Sequence, residues 1–282
     1  MKEIVLNNRK NGMAVLLGVL VLYVLAIAGI VASSLQMSRS GGSAALTAVM
    51  IVSIVAVSIG WFPLCGLRVL KPQEAVVLTL FGKYVGTLKD NGFYFINPFC
   101  TSVNPAAKTR LGQSGDVKSA SAGNLDAAVA AAVSFENTGK KISLKIMTLS
   151  NNRQKINDCL GNPIEIGIAV TWRIVDTAKA VFNVDNYKEF LSLQCDSALR
   201  NIVRLYPYDV APDVDTTGDG IADEGSLRGS SEIVASRIRD EIQERVTEAG
   251  IEIVEARITY LAYAPEIAAV MLQRQQASAG SD

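Results

Sequence analysis

Two long runs of uncharged, mostly apolar residues near the N-terminus constrain this chain more than any other feature. Residues 13–32 and 44–64 contain no Asp, Glu, Lys or Arg. A helix rises about 1.5 Å per residue, so about twenty such residues cross a hydrocarbon core of roughly 30 Å. The first run is longer than the apolar core of a signal peptide, and no small-residue cleavage site stands out after it. We therefore predict two transmembrane helices, in preference to a hairpin buried in a soluble core.

The charges that flank the two runs predict how they sit in the membrane. Basic residues lie on both outer flanks, at Lys2, Arg9, Lys10, Arg68, Lys71 and Lys83. The short loop between the runs holds only one basic residue, Arg39. Because basic flanks favour the cytoplasmic side, we expect both ends of the chain to be cytoplasmic and the loop to be outside.

The composition of the 282 residues excludes several functional classes. The 27 basic and 27 acidic residues balance, whereas a nucleic-acid-binding domain usually carries a basic excess, so no nucleic-acid partner is expected. The chain has no histidine, which removes the commonest general base and the commonest zinc ligand. Its four cysteines are far apart and form no C-x-x-C pair. Neither a zinc site nor a disulfide framework is therefore predicted.

The soluble part opens with β-forming residues soon after the second apolar run. Val76–Phe81 is rich in β-formers, Gly82 and Gly86 break this run, and Phe93–Ile96 restarts a strand. Between them, Lys89–Gly92 contains an Asn-Gly pair, which favours tight turns because both residues tolerate positive φ. We predict twisted antiparallel hairpins lying just under the membrane.

Further elements follow from periodicity and capping signals. The clearest is a strand over residues 164–174, where large apolar residues alternate with small or polar ones. Asp176 is expected to cap a short helix, and Gly250 to end a helix in the left-handed conformation. The remaining predictions are a strand over 142–149, amphipathic helices over 186–205 and 231–249, a strand over 251–262, and a helix from Pro265 to about residue 279.

Several short motifs occur in an order that resembles one known family. They are Pro72–Ala75, Leu80–Tyr84, Gly92-Phe93, Asn97-Pro98, Gly161–Ile166, Val170–Asp176 and Ala262–Ile267. The ordered set is specific and extends over most of residues 66–276. The chain resembles the SPFH or band-7 proteins, the family of stomatin, prohibitin, flotillin and the HflK/HflC pair. It is most similar to bacterial members with two N-terminal spans.

The resemblance implies an α+β fold, in which an N-terminal transmembrane helical hairpin precedes two small α/β lobes and a short C-terminal helix. The boundaries are then a membrane anchor over 1–65, an SPFH domain over 66–264 and the start of a C-terminal helix over 265–282. Residues 101–141, which include a low-complexity stretch, are an insertion relative to the family. The family usually continues into a long helix, so we interpret the C-terminal segment as a truncated beginning of that helix.

The resemblance also implies a scaffold and not an enzyme. SPFH proteins associate side by side into rings or cages on the bilayer, organise membrane microdomains, and enclose or regulate membrane proteins, including proteases. The implied partners are the lipid bilayer, further copies of this chain, and a membrane-protein client such as a protease. Together with the charge flanks, the resemblance implies an inner-membrane location with a cytoplasmic SPFH domain.

An acidic loop over residues 209–229 is the sharpest local motif. It offers side-chain oxygens at Asp213, Asp215, Thr217, Asp219, Asp223 and Glu224. The spacing from Asp215 to Asp223 around Gly220 is typical of a calcium loop, and a register from Asp213 to Glu224 resembles an EF-hand loop. A solvated loop between two helices explains the same residues. We favour the solvated loop and expect no cofactor, with Ca²⁺ as the one alternative.

Two alternatives to a scaffold remain open. A calcium-responsive, membrane-associated regulatory module would use the acidic loop. A membrane hydrolase would need a nucleophile with a base, and the sequence has neither a G-x-S-x-G motif nor a glycine-rich phosphate loop. The hydrolase is therefore the weaker alternative.

Overall fold

The computed structural model describes residues 2–6, 11–40, 43–109, 111, 140–151, 153–209 and 225–279. The chain divides into two compact units. The N-terminal unit holds residues 4–103 and 140–142, and the C-terminal unit holds residues 1–3, 104–139 and 143–282. Helices and antiparallel sheets occur together, which confirms the predicted α+β class. Most of the predicted insertion over 101–141 lies outside the described residues.

The N-terminal unit begins with two helices, α1 (Gly12–Ser40) and α2 (Ala44–Ile59), and a 3-10 turn at Phe62–Gly66. The strands that follow are β1 (Leu67–Leu70), β2 (Glu74–Leu80), β3 (Lys83–Leu88), β4 (Gly92–Phe95), β5 (Thr101–Val103) and β6 (Ile142–Ser143). β1 pairs with β4 in one sheet, while β2 pairs with β3, β5 and β6 in another. The core of the unit is formed by Leu70, Val76, Leu78, Leu88, Tyr94, Ile96 and Cys100.

The hairpin between β2 and β3 turns at the break predicted at Gly82. β2 and β3 pair up to Leu80 and Lys83, so Phe81 and Gly82 alone form the turn. Their φ angles are 48° and 83°, and positive values at both central residues fit a type I′ turn. The Asn-Gly segment at 89–92 instead connects β3 to β4 in the other sheet. The chain therefore turns at 89–92 as predicted, but this turn joins strands of different sheets and forms no hairpin.

The C-terminal unit contains β7 (Met147–Ser150), β8 (Gln154–Asn157), β9 (Pro163–Ile174) and β10 (Ile251–Tyr263). Its helices are α3 (Thr177–Phe182), α4 (Tyr187–Val203), α5 (Ser231–Val246) and α6 (Pro265–Ala279), with a 3-10 turn at Thr247–Ala249. β9 is central: it pairs with β10 on one edge and with β7 and β8 on the other. α5 packs against both β10 and α4.

Most of the local predictions for this unit are confirmed. The alternation over 164–174 matches β9, whose large apolar side chains are buried. Asp176 caps α3 by accepting a hydrogen bond from the Lys179 N–H at 2.9 Å, and Gly250 has a left-handed φ of 66°. The strand predicted over 142–149 is wrong in extent, because it divides into β6 and β7, which belong to different sheets.

Candidate functional site

α1 and α2 form a helical hairpin whose surface suits a lipid environment. The segments Gly12–Arg39 and Ala44–Gly66 are long and apolar enough to cross a membrane, with mean hydropathies of 2.9 and 2.3. Only 6% of the most apolar window of each is buried within the described structure, and side chains such as Leu25 and Val52 are exposed. A helix in a soluble core would bury such side chains. The two helices therefore fit the predicted pair of spans.

Small and hydroxyl-bearing residues let the two helices approach closely. A Cβ on Gly29 would lie 2.7 Å from Ser53 Oγ, closer than an unstrained contact. The Tyr23 hydroxyl of α1 donates to the Val57 carbonyl of α2 at 3.2 Å. Close packing of small residues and side-chain hydrogen bonds between helices stabilise helix pairs in membranes, where the hydrophobic effect does not drive association.

The residues before α1 pair with β3 of the same unit. Thr87 donates its backbone N–H to the Ile4 carbonyl at 2.8 Å, and Leu6 donates to the Thr87 carbonyl at 2.9 Å. Val5 and Thr87 form a parallel β-bridge. The Ile4 N–H also donates to the Tyr84 hydroxyl at 3.2 Å. The sequence analysis missed this contact, because a short segment between charged residues carries no periodic strand signal.

Aromatic side chains gather where α2 meets the sheets. The ring of Phe62 lies 5.3 Å from that of Phe99, and Phe81 at the hairpin tip stacks on Phe99 with centroids 6.2 Å apart. The Asn97 side chain accepts the Phe99 N–H at 3.0 Å and so shapes the turn that presents this ring. Phe81 is 87% exposed and Phe99 is 56% exposed. We name Phe62, Phe81 and Phe99, with the adjoining Trp61, the aromatic patch.

Two motifs of the C-terminal unit meet at one end of its sheet. β9 begins at Pro163, whose carbonyl accepts the Ala264 N–H at 2.9 Å. Lys155 of β8 forms an ion pair with Glu266 in the first turn of α6. The start of the central strand is thus attached to the start of the last helix, which fixes the direction in which α6 leaves the sheet.

A buried carboxylate organises the loop at the same end of the sheet. Asp158 is 4% exposed. It accepts hydrogen bonds from the backbone N–H groups of Leu160, Asn162 and Tyr208 at 3.0, 2.8 and 3.1 Å. The Asn162 side chain donates a further bond at 3.1 Å. These bonds hold the loop before β9 against the segment that follows α4, so Asp158 serves the local fold. The sequence analysis did not single it out.

The sequence-predicted calcium ligands lie outside the described residues: Asp213, Asp215, Thr217, Asp219, Asp223 and Glu224. Both ends of their loop are described. Leu227 donates its N–H to the Pro207 carbonyl at 2.9 Å, and Arg228 donates to the Tyr208 carbonyl at 3.1 Å. The Arg228 side chain also lies 3.5 Å from Asp209. Among the described residues, no group of three or more His, Cys, Asp or Glu side chains is placed to hold a metal ion.

Two cysteines of the C-terminal unit have thiols that resist ionisation. Burial raises the pKa of the Cys195 thiol to about 12, and the neighbouring Asp196 adds to the effect. Cys159 is exposed, but partial desolvation still raises the pKa of its thiol, with a contribution from Asp158. The thiolate is the nucleophilic form of cysteine, so a raised pKa opposes nucleophilic catalysis. Neither thiol supports the membrane-hydrolase alternative.

Comparison with protein families gives a match over most of the chain. The model of the family described as SPFH domain / Band 7 family matches residues 68–280. The match begins in β1, just after the second span, and continues through both units into α6. It covers more than half of the 282 residues. No curated protein matches the chain.

Proposed function

The chain belongs to the SPFH domain / Band 7 family, and on this premise we propose that it is a membrane-anchored scaffold that self-associates and organises membrane microdomains. The resemblance found in the motifs is confirmed. Members of this family are generally membrane-associated scaffold proteins that oligomerise in membranes. This chain adds two apolar helices directly before the matched region.

The attachment of the β-sheets to the spans is the observation that carries the proposal. β1 starts at Leu67, immediately after the 3-10 turn that follows α2, and the Ile96 N–H donates to the Gly66 carbonyl at 2.9 Å. On the other flank, the segment before α1 pairs with β3 through Thr87. The β-sheets of the N-terminal unit are therefore hydrogen-bonded to the segments that flank the helical hairpin on both sides, which suits a scaffold that holds its domain at the bilayer surface.

The proposed location is the inner membrane of a bacterial cell, with the SPFH domain in the cytoplasm. The pairing of Ile4 with Thr87 requires that the chain enter and leave the membrane on the same side. The basic flanks choose that side by the positive-inside rule. The lipid bilayer and further copies of the chain are the proposed partners.

The proposed clients are membrane proteins, including proteases, which assembled copies enclose or regulate. Photo-crosslinkers at two exposed positions, Leu193 on α4 and Ile233 on α5, followed by mass spectrometry from native membranes, test this proposal. We expect adducts with other copies and with membrane proteins. A crosslinker at the fully buried Leu199 is the matched control. Adducts with soluble proteins alone would contradict the client proposal.

We propose that the function involves no catalysis. The raised thiol pKa values of Cys159 and Cys195 support this proposal, as does a sequence without histidine. Activity-based probes for serine and cysteine nucleophiles test it in native membranes. We expect no specific labelling, and labelling that a single Ser or Cys substitution removes would favour the hydrolase.

Calcium responsiveness is the second candidate function. The closed ends of the acidic loop favour it, because the hydrogen bonds from Leu227 and Arg228 limit the chain entropy that the loop loses when it wraps an ion. The proposed ligands are the loop carboxylates and Thr217. Family membership favours the scaffold, and a regulated scaffold is compatible with both functions.

A further inference from the structure

We propose that the aromatic patch inserts into the interfacial layer of the bilayer, so that the β2–β3 hairpin tip forms a second membrane contact beside α2. The inference rests on the membrane attachment in the proposed function and is independent of self-association. It starts from three aromatic rings, in which Phe62 and Phe81 each contact Phe99. The outermost ring, that of Phe81, is 87% exposed.

The residue at the hairpin tip is a poor choice for a turn in water. Type I′ turns favour Asn, Asp or Gly, because both central residues need positive φ. Phe81 adopts a φ of 48°, which is uncommon for a bulky side chain. It also leaves a large apolar ring in contact with solvent. Neither property stabilises the hairpin in water. A further contact of the exposed Phe81 ring, outside the described structure, explains its position better.

The partner that we propose for the aromatic patch is the bilayer, because the patch begins within the second apolar segment. Phe62 belongs to the apolar segment Ala44–Gly66, and Trp61, also exposed, adjoins it. Aromatic rings at the end of a span sit at the level of the lipid headgroups. Through the contacts of Phe99 with Phe62 and Phe81, the aromatic patch continues from this segment to the hairpin tip. Lys83, two residues beyond Phe81, is exposed and supplies a positive charge for anionic headgroups.

Quenching by brominated lipids tests the contact in the full chain. The parent is Trp61→Phe, which leaves the fully buried Trp172 as a constant background. Phe81→Trp is then added, and the protein is reconstituted in vesicles of phosphatidylcholine and phosphatidylglycerol with bromine near the headgroup end of the acyl chains. We expect blue-shifted emission that loses most of its intensity to bromine. The matched control is Leu160→Trp in the C-terminal unit, where the leucine is 56% exposed, and we expect far weaker quenching.

A second pair of variants separates membrane contact from turn geometry. Phe99→Trp serves as the reporter, with and without Phe81→Asn. Asn suits a type I′ turn, so the hairpin is retained, but the apolar tip is lost. We expect bromine quenching of the tryptophan at position 99 to fall when Phe81 is replaced, whereas a role in the turn alone would leave it unchanged.

Three results would overturn the inference. Red-shifted, unquenched emission at position 81 would place the ring in water. Blue-shifted emission without bromine quenching would mean that protein, such as a second copy of the chain, covers the patch. Equal quenching at positions 81 and 160 would show that the contact is not specific to the hairpin tip. The first and third results can be obtained whether or not the chain self-associates.

Discussion

Leu6 donates its backbone N–H to the carbonyl of Thr87 at 2.9 Å, although both helices of the membrane hairpin lie between them in the chain. A short strand-like segment before the first span is thus added to the edge of β3. If the two helices cross the bilayer, the bond can form only when the N-terminal segment and the β-sheets are on the same side. With two spans, the bond therefore places the N-terminal segment and the β-sheets on the same side of the membrane.

Cysteine accessibility tests this topology in intact cells. The exposed Cys65 and Cys159 are first replaced by Ser. A cysteine introduced at Ser40, the last residue of α1, should react with a membrane-impermeant maleimide. Cysteines introduced at Lys2 and Lys83 should react only after the cells are opened. Labelling of Lys2 and Lys83 with protection of Ser40 would reverse the orientation, and labelling on opposite sides for Lys2 and Lys83 would refute the two-span arrangement.

Gly86→Ala should detach the N-terminal segment from β3. A Cβ at Gly86 would lie 2.6 Å from the Leu6 side chain and 3.0 Å from the Ile4 carbonyl. We expect the free energy of unfolding to fall by roughly 1 kcal/mol or more, as for other overpacking substitutions. The amide of Thr87, which donates to Ile4, should exchange faster with solvent. The matched control is Gly82→Ala, which also has a positive φ, of 83°, but no atom within 4 Å of its Cβ. Equal exchange at Thr87 in both variants would contradict the steric explanation.

The turn at Phe81-Gly82 is only partly predictable from the sequence. The β2 strand was predictable from its β-formers, and β9 was predictable because its large apolar residues alternate with small or polar ones; its burial follows this alternation except at the buried Gly167. Gly82 marks the end of the first strand, but Phe81 carries no turn signal, because a bulky residue is uncommon at the positive φ that it adopts. The single strand predicted over 142–149 was wrong in extent, because the apolar pattern is continuous in sequence, whereas β6 and β7 pair with strands of different sheets. Pairing over long sequence distances leaves no local signal.

The ion pair between Glu74 and Lys141 should make the stability of the N-terminal unit depend on pH. Glu74 accepts from Lys141 Nζ at 2.9 Å and from the Lys71 N–H at 3.2 Å. Burial opposes ionisation of Glu74, but these hydrogen bonds and the two lysine charges outweigh it, so its pKa is lowered from 4.5. The stabilisation is therefore present above the unfolded pKa, and it is lost as the pH falls through the lower folded pKa.

Thermal unfolding of Glu74→Gln in lipid nanodiscs checks this dependence. The variant should melt below the wild type at neutral pH, and the two curves should converge in acid as wild-type Glu74 takes up its proton. Glu252→Gln is the control, because Glu252 pairs with Arg173 on the surface and an exposed pair contributes little. A constant difference between wild type and Glu74→Gln at all pH values would contradict the assigned pKa shift.

The calcium proposal predicts a ligand-dependent melting temperature. If Asp215, Asp219 and Asp223 cage the ion, calcium at about 100 times its Kd should stabilise the chain by about 2.7 kcal/mol relative to chelator. Asp219→Ala should abolish the shift, and Asp185→Ala, at an exposed position outside the loop, should retain it. Identical melting curves of the unmutated chain in calcium and in chelator would leave only the solvated loop.

The free energy of self-association depends on the two membrane spans. Association in solution costs an estimated 4–15 kcal/mol in lost translational and rotational freedom. Two spans confine neighbouring copies to one surface and raise their effective concentration. We therefore expect association to be strong in the bilayer and weak after dispersal in excess detergent.

The most direct test counts the copies of the full chain in particles excised from native membranes with a surrounding lipid patch and no detergent. Single-particle mass measurement or stepwise photobleaching gives this number. We expect closed assemblies of many copies at native expression, and mostly dissociated chains in detergent. Particles that contain a single copy of the chain in native lipid would contradict the scaffold function.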